Sequence, residues 1–420
     1  MAKFVIEGGV PLYGKVKIAG NKNAVLPCMA ATILTKEECV LKNVPQISDV
    51  LVLARIMKKI GAEIDGLGTP TLRISCKGVN STKIDSKLVS QLRASILLCG
   101  PLLARFGEVS FGHPGGDVIG KRSVQTHLAA LGNFGFAFSE ENWLSYTSKK
   151  NSKTRLTEVY LEEASVTATE NVLLLASNFS ERTTIKNAAC EPHVASLCEM
   201  LVKMGAKIDG IGSNLLIVEG NKELGGATHT IPSDNIEVGT FAIASAVTSG
   251  EVEIESVQKE DLDPIIYFLS KIGLKMRFEK GSLFVYPSKL KAIPKVTTGI
   301  WPAFPTDLMS CMIVLATQSD GVTLLHDWMY ESRMFFVDKL ISMGAHVTIA
   351  DPHRVLVYGP TKLKGQALDT PDLRAGMALI VASLAAEGES IIDKVELVER
   401  GYEKIEQKLI TLGAKIKRVH

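Results

Sequence analysis

Apolar positions along the chain repeat on a helical period and then on an alternating one. Val50, Leu53, Ala54 and Met57 fall at i, i+3, i+4 and i+7, the spacing of one helix face. The segment Lys58-Lys59-Ile60-Gly61-Ala62-Glu63-Ile64 follows, a helix end running into a short alternating strand. The same ending returns as Ala130-Leu131-Gly132, Lys203-Met204-Gly205-Ala206, Lys271-Ile272-Gly273-Leu274, Ser342-Met343-Gly344-Ala345 and Thr411-Leu412-Gly413-Ala414. The six glycines stand 68 to 73 residues apart, and each suits the left-handed position that closes a helix. Most copies also carry a second, Ala-rich helix, predicted over 24–33, 170–176, 239–246, 308–316 and 374–386, and copy two carries 92–103 in that place. Each unit therefore reads strand, helix, strand, helix, strands, an α/β pattern.

Six units of this length are too long for a helical solenoid. Two globules of three units each match ordinary domain size. The join is expected near 228–233, where Pro232 breaks the pattern. The 420 residues are 46% hydrophobic with a net charge of +2, enough apolar matter for large cores. That balance argues against nonspecific nucleic-acid binding, which needs clustered excess cations. No signal peptide and no transmembrane run is read, so the expectation is a cytoplasmic chain without membrane contact. Cys28, Cys39, Cys76, Cys99, Cys190, Cys198 and Cys311 show no C-x-x-C spacing. They read as free thiols, with neither zinc site nor disulfide framework. No exposed apolar stripe stands out, and a monomer is expected.

The chemistry is expected around His113-Pro114-Gly115-Gly116-Asp117-Val118-Ile119-Gly120-Lys121-Arg122. Glycines make this loop cheap to move, Asp117 offers a proton, and the cations after it can hold anions. Gly115-x-x-x-x-Gly120-Lys121 resembles a phosphate-binding P-loop, but Arg122 stands where the metal-binding hydroxyl belongs, which excludes an NTPase. Gly66-Leu67-Gly68 lacks the third glycine of a dinucleotide fingerprint. Lys22, before the first Ala-rich helix, faces an unfavourable helix dipole, and a phosphate or carboxylate partner resolves this. Arg93, Arg333, Arg374 and Arg400 each lie near an acid in sequence, as structural ion pairs or as anion holders. Asp307 reads either as a helix N-cap or as a general base among arginines. Glu170 and Glu191 read as structural acids.

Taken together, these residues make the chain resemble the enolpyruvyl transferase family, in the branch whose acceptor is UDP-N-acetylglucosamine. The resemblance spans essentially the whole chain. It rests on Gly20-Asn21-Lys22-Asn23-Ala24, Leu92-Arg93-Ala94-Ser95, Pro114 through Gly120, Ala303-Phe304-Pro305-Thr306-Asp307, Asp372-Leu373-Arg374-Ala375 and Glu399-Arg400-Gly401-Tyr402. It implies a two-domain inside-out α/β barrel of six pseudo-repeats. One domain would span 22–230 and carry the mobile loop 113–123; the other would join 1–21 to 231–420. It implies transfer of enolpyruvate from phosphoenolpyruvate to the 3′-hydroxyl of UDP-N-acetylglucosamine, the first committed step of peptidoglycan synthesis, without metal or organic cofactor. By the same resemblance Lys22 and Arg400 hold phosphoenolpyruvate, helped by Arg122, Arg333 and Arg374. Asn23 contacts the sugar, and Asp307 takes the hydroxyl proton. Arg93, Arg122, Ser123, Val124, Gln125, Thr126, Ala164, Ser165, Val166, Thr167 and Met329 line the UDP-sugar site. The sister activity, with shikimate 3-phosphate as acceptor, and a non-catalytic UDP-sugar-binding paralogue are the alternatives.

Several positions depart from the family pattern. Asp117 stands where most members carry cysteine. A carboxyl titrates near 3.9 and a thiol near 8.5, so an acid-side activity optimum is expected. Fosfomycin alkylates the family's loop thiolate, and a carboxylate is a poorer nucleophile for it, so resistance is expected. Glu163 stands where a lysine is common, Thr167 replaces a glycine, and 231–237 carries an extra residue and lacks an arginine.

Overall fold

Among the described residues six sheets with one wiring hold every strand. The computed structural model describes residues 2–116, 119–120, 122–141, 145–150 and 157–419. In the first repeat, strand Thr228–Thr230 lies parallel to Cys39–Lys42, which pairs antiparallel with Thr71–Ser75, itself antiparallel to Glu63–Asp65. The register sets Leu41 opposite Leu72 and Cys39 opposite Ile74 on the buried face. The same order, one parallel pair and two antiparallel pairs, builds the sheets Tyr13–Lys17/Glu251–Glu255/Ser282–Tyr286/Lys275–Glu279 and Lys295–Thr297/Gly321–His326/Arg354–Gly359/His346–Asp351. In Glu108–Gly112/Ser145–Lys150/Phe136–Glu141 the parallel strand shrinks to a single bridge, Lys83 to Ser110.

By contacts the chain divides into two compact units. One holds residues up to Ala19 and from Ser233 on, with Ile119 and Gly120; the other holds 20–116 and 122–232. Each has its own apolar core. In the first unit the core is built on helices Asn235–Val247, Thr306–Thr317 and Leu373–Ala385, which pack on one another. These helices are apolar on all sides, which only a fully buried helix tolerates: every residue from Asn235 to Ala246 is buried, as is every residue from Leu308 to Thr317. Sheets surround them, so the helices are inside and the strands outside: the inside-out α/β barrel. In the second unit Cys99–Phe106 packs on Val166–Ala176, and Lys22–Ala31 packs on the turn Arg93–Leu98 and on helix Pro192–Met204. Helices such as Ser48–Lys59 stand outside and bury only Asp49, Val50, Leu53, Ala54, Ile56 and Met57.

The recurring glycine closes five of the six outer helices. Gly61, Gly205, Gly273, Gly344 and Gly413 all have positive φ. After each, the next N–H reaches back five residues to a helix carbonyl, as Ala62 does to Met57 at 3.0 Å and Ala414 to Leu409 at 3.0 Å. Copy two differs from the expectation. Gly132 stays inside its helix, Gln125–Gly132, and the left-handed residue is Gly135, because Asn133 and Phe134 extend the turn first. Its predicted inner helix over 92–103 is also two pieces, a 3-10 turn Arg93–Leu98 and the α-helix Cys99–Phe106. Pro101 has no N–H for the Leu97 carbonyl, which removes one hydrogen bond from the helical ladder where the two pieces join.

Candidate active site

The inner helices of the first unit present their N-termini with acids in place. Asp234 caps one, accepting from Ile236 N (2.9 Å) and Glu237 N (3.1 Å); Asp372 caps another, accepting from Arg374 N (2.9 Å) and Ala375 N (3.0 Å). Asp307 is not an N-cap. The helix starts at Thr306, Pro305 holds the cap position, and the Asp307 side chain is left for other partners. Its Oδ1 accepts from Arg333 Nη2 at 3.2 Å, and its Oδ2 accepts from Arg374 Nε and Nη2 at 3.1 and 2.8 Å.

Both arginines are almost wholly enclosed, with 2% exposure for Arg333 and 3% for Arg374. Buried guanidinium groups need compensating charge. Arg333 has a second carboxylate near it, Asp327 Oδ2 at 4.0 Å from Nε. Asp327 is itself fully buried, accepts from the Thr306 hydroxyl, and accepts from Met329 N at 3.0 Å. Burial alone would lower the pKa of Arg374, but the Asp307 carboxylate, with Tyr402 and Asp234, outweighs it and holds the group well above its ordinary value. Arg333 Nε and Arg374 Nη1 are buried without a hydrogen-bond partner, an arrangement that leaves cationic N–H groups for an anion. Arg400 sits at the end of the 3-10 turn Val395–Arg400, half-buried, in the same unit. There too the Ile119 carbonyl accepts from Ser332 N at 3.2 Å, beside Arg333. Asp117, the expected proton donor, lies outside the described residues, as do Val118 and Lys121.

In the second unit Lys22 opens the helix Lys22–Ala31, with Asn21 capping it through bonds from Asn23 N (2.8 Å) and Ala24 N (3.0 Å). Lys22 is 9% exposed, and its ammonium meets Asp49 Oδ2 at 2.8 Å. The anion expected to answer the helix dipole is thus supplied, in this structure, by the protein itself. Arg93 donates to the Ser123 carbonyl at 2.7 Å. Gly116, at φ +126°, lies so close to Arg93 Cβ and Arg122 Nη2 that a side chain there would collide with both, so glycine is required and the loop is held against the two arginines.

The segments 122–127 and 163–171 are tied together in the same unit. Thr126 donates to Glu163 Oε1 at 2.9 Å, and Ser165 caps the helix Val166–Ala176. Asn171 donates to His127 Nδ1 at 3.0 Å, so the ring proton sits on Nε2 and points at Thr167 Oγ1, 3.0 Å away. This brings Arg93, Arg122, Ser123, Val124, Gln125 and Thr126 near Ala164, Ser165, Val166 and Thr167. Met329, Arg333, Arg374, Asp307 and Arg400 belong to the other unit, and Lys22 and Asn23 stand with Asp49.

Sequence reasoning missed Asp49, Asp327 and His127 and gave Tyr402 no role of its own; Asp49, Tyr402 and His127 act across segments distant in sequence, while Asp327 lies near Arg333 in the chain. Asp327 carried the faintest signal, as one more acid beside Met329. All seven cysteines are free thiols. Burial pushes Cys198 and Cys311 up to about 12, far from a useful nucleophile at neutral pH. Among the described residues no helix is long and apolar enough to cross a membrane.

Comparison with known proteins places the chain in a family. A family model described as EPSP synthase (3-phosphoshikimate 1-carboxyvinyltransferase) matches residues 6–409. The UDP-N-acetylglucosamine 1-carboxyvinyltransferase of Borreliella burgdorferi is 46% identical, covering 100% of this chain and 99% of the relative. That of Treponema denticola is 44% identical over 99% of each. Among solved structures, the enolpyruvyl transferase NikO from Streptomyces tendae aligns with a TM-score of 0.89 at 21% identity, covering 100% of this chain and 99% of that one. EPSP synthase from Acinetobacter baumannii aligns at 0.77 with 18% identity, covering 100% of both. The chain belongs to the enolpyruvyl transferase family and, within it, to the UDP-N-acetylglucosamine 1-carboxyvinyltransferases.

Proposed function

We propose that the chain transfers the enolpyruvyl group of phosphoenolpyruvate to the 3′-hydroxyl of UDP-N-acetylglucosamine, releasing phosphate, as the first committed step of peptidoglycan synthesis. The observation that carries this reading is full-length identity of 41–46% to relatives bearing that activity in their names. The buried Asp307–Arg333–Arg374 cluster supports it, because the substrate is a small polyanion.

The reaction is an addition followed by an elimination. The hydroxyl oxygen bonds to C2 of phosphoenolpyruvate while C3 gains a proton, giving a tetrahedral ketal. C3 then loses a proton, the C2–O bond to phosphate breaks, and the double bond returns. Asp307 takes the hydroxyl proton as general base. Arg333, Arg374, Arg400, Arg122 and Lys22 hold the phosphate and carboxylate groups; fixed guanidinium charges answer the charge that builds on departing phosphate without reorganising. Asp117 is the proton source that the loop offers. Asn23 meets the sugar, and the 122–126 and 164–167 segments with Arg93 and Met329 take the UDP portion. Unpaired thiols suit a reducing cytoplasm as the compartment.

The family model's own description favours a second acceptor, shikimate 3-phosphate. Phosphate release from phosphoenolpyruvate, assayed with each acceptor in turn, separates the two. Turnover with UDP-N-acetylglucosamine alone is expected, and turnover with shikimate 3-phosphate alone overturns the reading. Activity no higher than that of Asp307→Ala with either acceptor means a binding protein instead.

A further inference from the structure

Among the described residues Tyr402 is the second-largest fully buried side chain, after Arg333 itself, with 1% exposure. Its ring lies beneath Arg374, with the guanidinium carbon 5.4 Å from the ring centroid. Its hydroxyl is 3.0 Å from Thr240 Oγ1 on the neighbouring helix Asn235–Val247. Thr240 in turn bonds the Ile236 carbonyl at 2.8 Å.

These contacts have one direction. A carbonyl can only accept, so the single Thr240 proton goes to Ile236. Thr240 Oγ1 must then accept, and the Tyr402 proton goes to it. The Tyr402 oxygen keeps its lone pairs for the side it shares with Arg374, where it favours the charged guanidinium. Burial raises the Tyr402 pKa, so this donor stays protonated across the working range. Two further groups face the same spot, the Cys311 thiol from helix Thr306–Thr317 and the Asp234 carboxylate. The Tyr402 backbone is fixed as well: its N–H and that of Gly401 both bond the Val398 carbonyl at 3.1 Å, closing the turn that carries Arg400.

The outcome is an oriented guanidinium. Nε and Nη2 of Arg374 are committed to Asp307, and Nη1 is left without a partner. We propose that Tyr402 is a positioning residue: its ring and lone pairs hold Arg374 with one edge on Asp307 and Nη1 free for an anionic group of phosphoenolpyruvate. This rests on the reading of Arg374 as a phosphoenolpyruvate ligand. A guanidinium without that support would turn to satisfy Nη1 elsewhere, and the anion would lose a fixed donor.

The test is steady-state kinetics of phosphate release in Tyr402→Phe, Thr240→Val, Arg374→Lys and the Tyr402→Phe/Arg374→Lys double variant. Tyr402→Phe keeps the ring and removes the oxygen. The KM for phosphoenolpyruvate is expected to rise about tenfold while that for UDP-N-acetylglucosamine moves less than about twofold. Thr240→Val, similar in shape, releases the Tyr402 proton toward Arg374 and is expected to shift the same KM in the same direction, so the proposal is decided even if Tyr402→Phe fails to fold. The double variant should be no worse than Arg374→Lys alone, since both changes act through one guanidinium. A merely structural tyrosine would lower the melting temperature and leave the two KM values in their original ratio. If Arg374→Lys raises the phosphoenolpyruvate KM but neither Tyr402→Phe nor Thr240→Val does, this proposal is wrong and the reading of Arg374 stands. If Arg374→Lys leaves that KM unchanged, both fall.

Discussion

Asp307 and Arg374 stand in the first turns of two neighbouring buried helices, and one carboxylate oxygen of Asp307 accepts from both Nε and Nη2 of Arg374. The other oxygen accepts from Arg333. One carboxylate therefore bridges two enclosed guanidinium groups, with Asp327 beside Arg333 and Asp234 near Arg374 adding to it, and it is also the proposed base.

Asp307→Asn keeps the shape and removes the charge. Phosphate release is expected to fall by about 10²–10³-fold, the usual worth of a positioned general base. The fold should also lose about 2 kcal/mol, less than a fully buried pair because the Asp307 side chain is 28% exposed. Near-normal turnover in the asparagine variant rules out the base role.

The Lys22–Asp49 pair separates structural from catalytic need. Asp49→Asn leaves an ammonium enclosed at the positive end of a helix, and urea unfolding should show a loss of about 3 kcal/mol. Adding Lys22→Met to Asp49→Asn should restore part of that stability while the loss of Lys22 abolishes phosphate release. Strict additivity of the two stability losses contradicts a direct pair.

Two buried histidines and the buried Glu170 contribute to the pH dependence of stability with opposite signs. Burial, then Arg93, lowers His127 to about 3; burial, then Lys203, lowers His229 to about 4. Both stay neutral in the fold while the unfolded chain takes up protons below about 6.5. Stability should therefore fall as pH drops from about 7 toward 4, by at most about 1.4 kcal/mol per pH unit for each histidine. Glu170 runs the other way. Burial, then Glu191, raises its pKa well above 4.5, so its contribution is present at acid pH and lost as pH rises. Glu170→Gln, which copies the neutral form, should raise the urea midpoint at pH 8 and change little at pH 4. A midpoint lowered equally at both pH values counts against a protonated Glu170.

Asp117→Cys tests the loop acid. The wild type should show an acid-side optimum that moves toward neutral in the cysteine variant, because the donor changes from a carboxyl to a thiol. Fosfomycin should label the variant and leave the wild type unmodified in intact-protein mass spectrometry. A stable wild-type adduct at Asp117 overturns the resistance expectation.

The six-fold repeat was legible in the sequence because its cause is local. A glycine at the left-handed position after an amphipathic helix, and a helix apolar on every side, are each written in a few consecutive residues, and the spacing of about 70 follows from counting them. Copy two shows the limit of that reading: Gly132 looked like the others, but two more residues carried the turn to Gly135.

The chemistry-bearing residues were also visible one by one, as acids and cations of the right type in short motifs. Their partners were not. Asp49 for Lys22, Tyr402 for Arg374 and His127 for Thr167 are each 25 or more residues away in the chain, and Asp327, though close to Arg333 in sequence, is turned toward it only by the fold. Local periodicity carries no term for such distances. Only the packing of three apolar helices, end beside end, determines which side chains meet there. Once that packing removes water, every buried charge must find a counter-charge or hydrogen bond, and that demand selected the pairs.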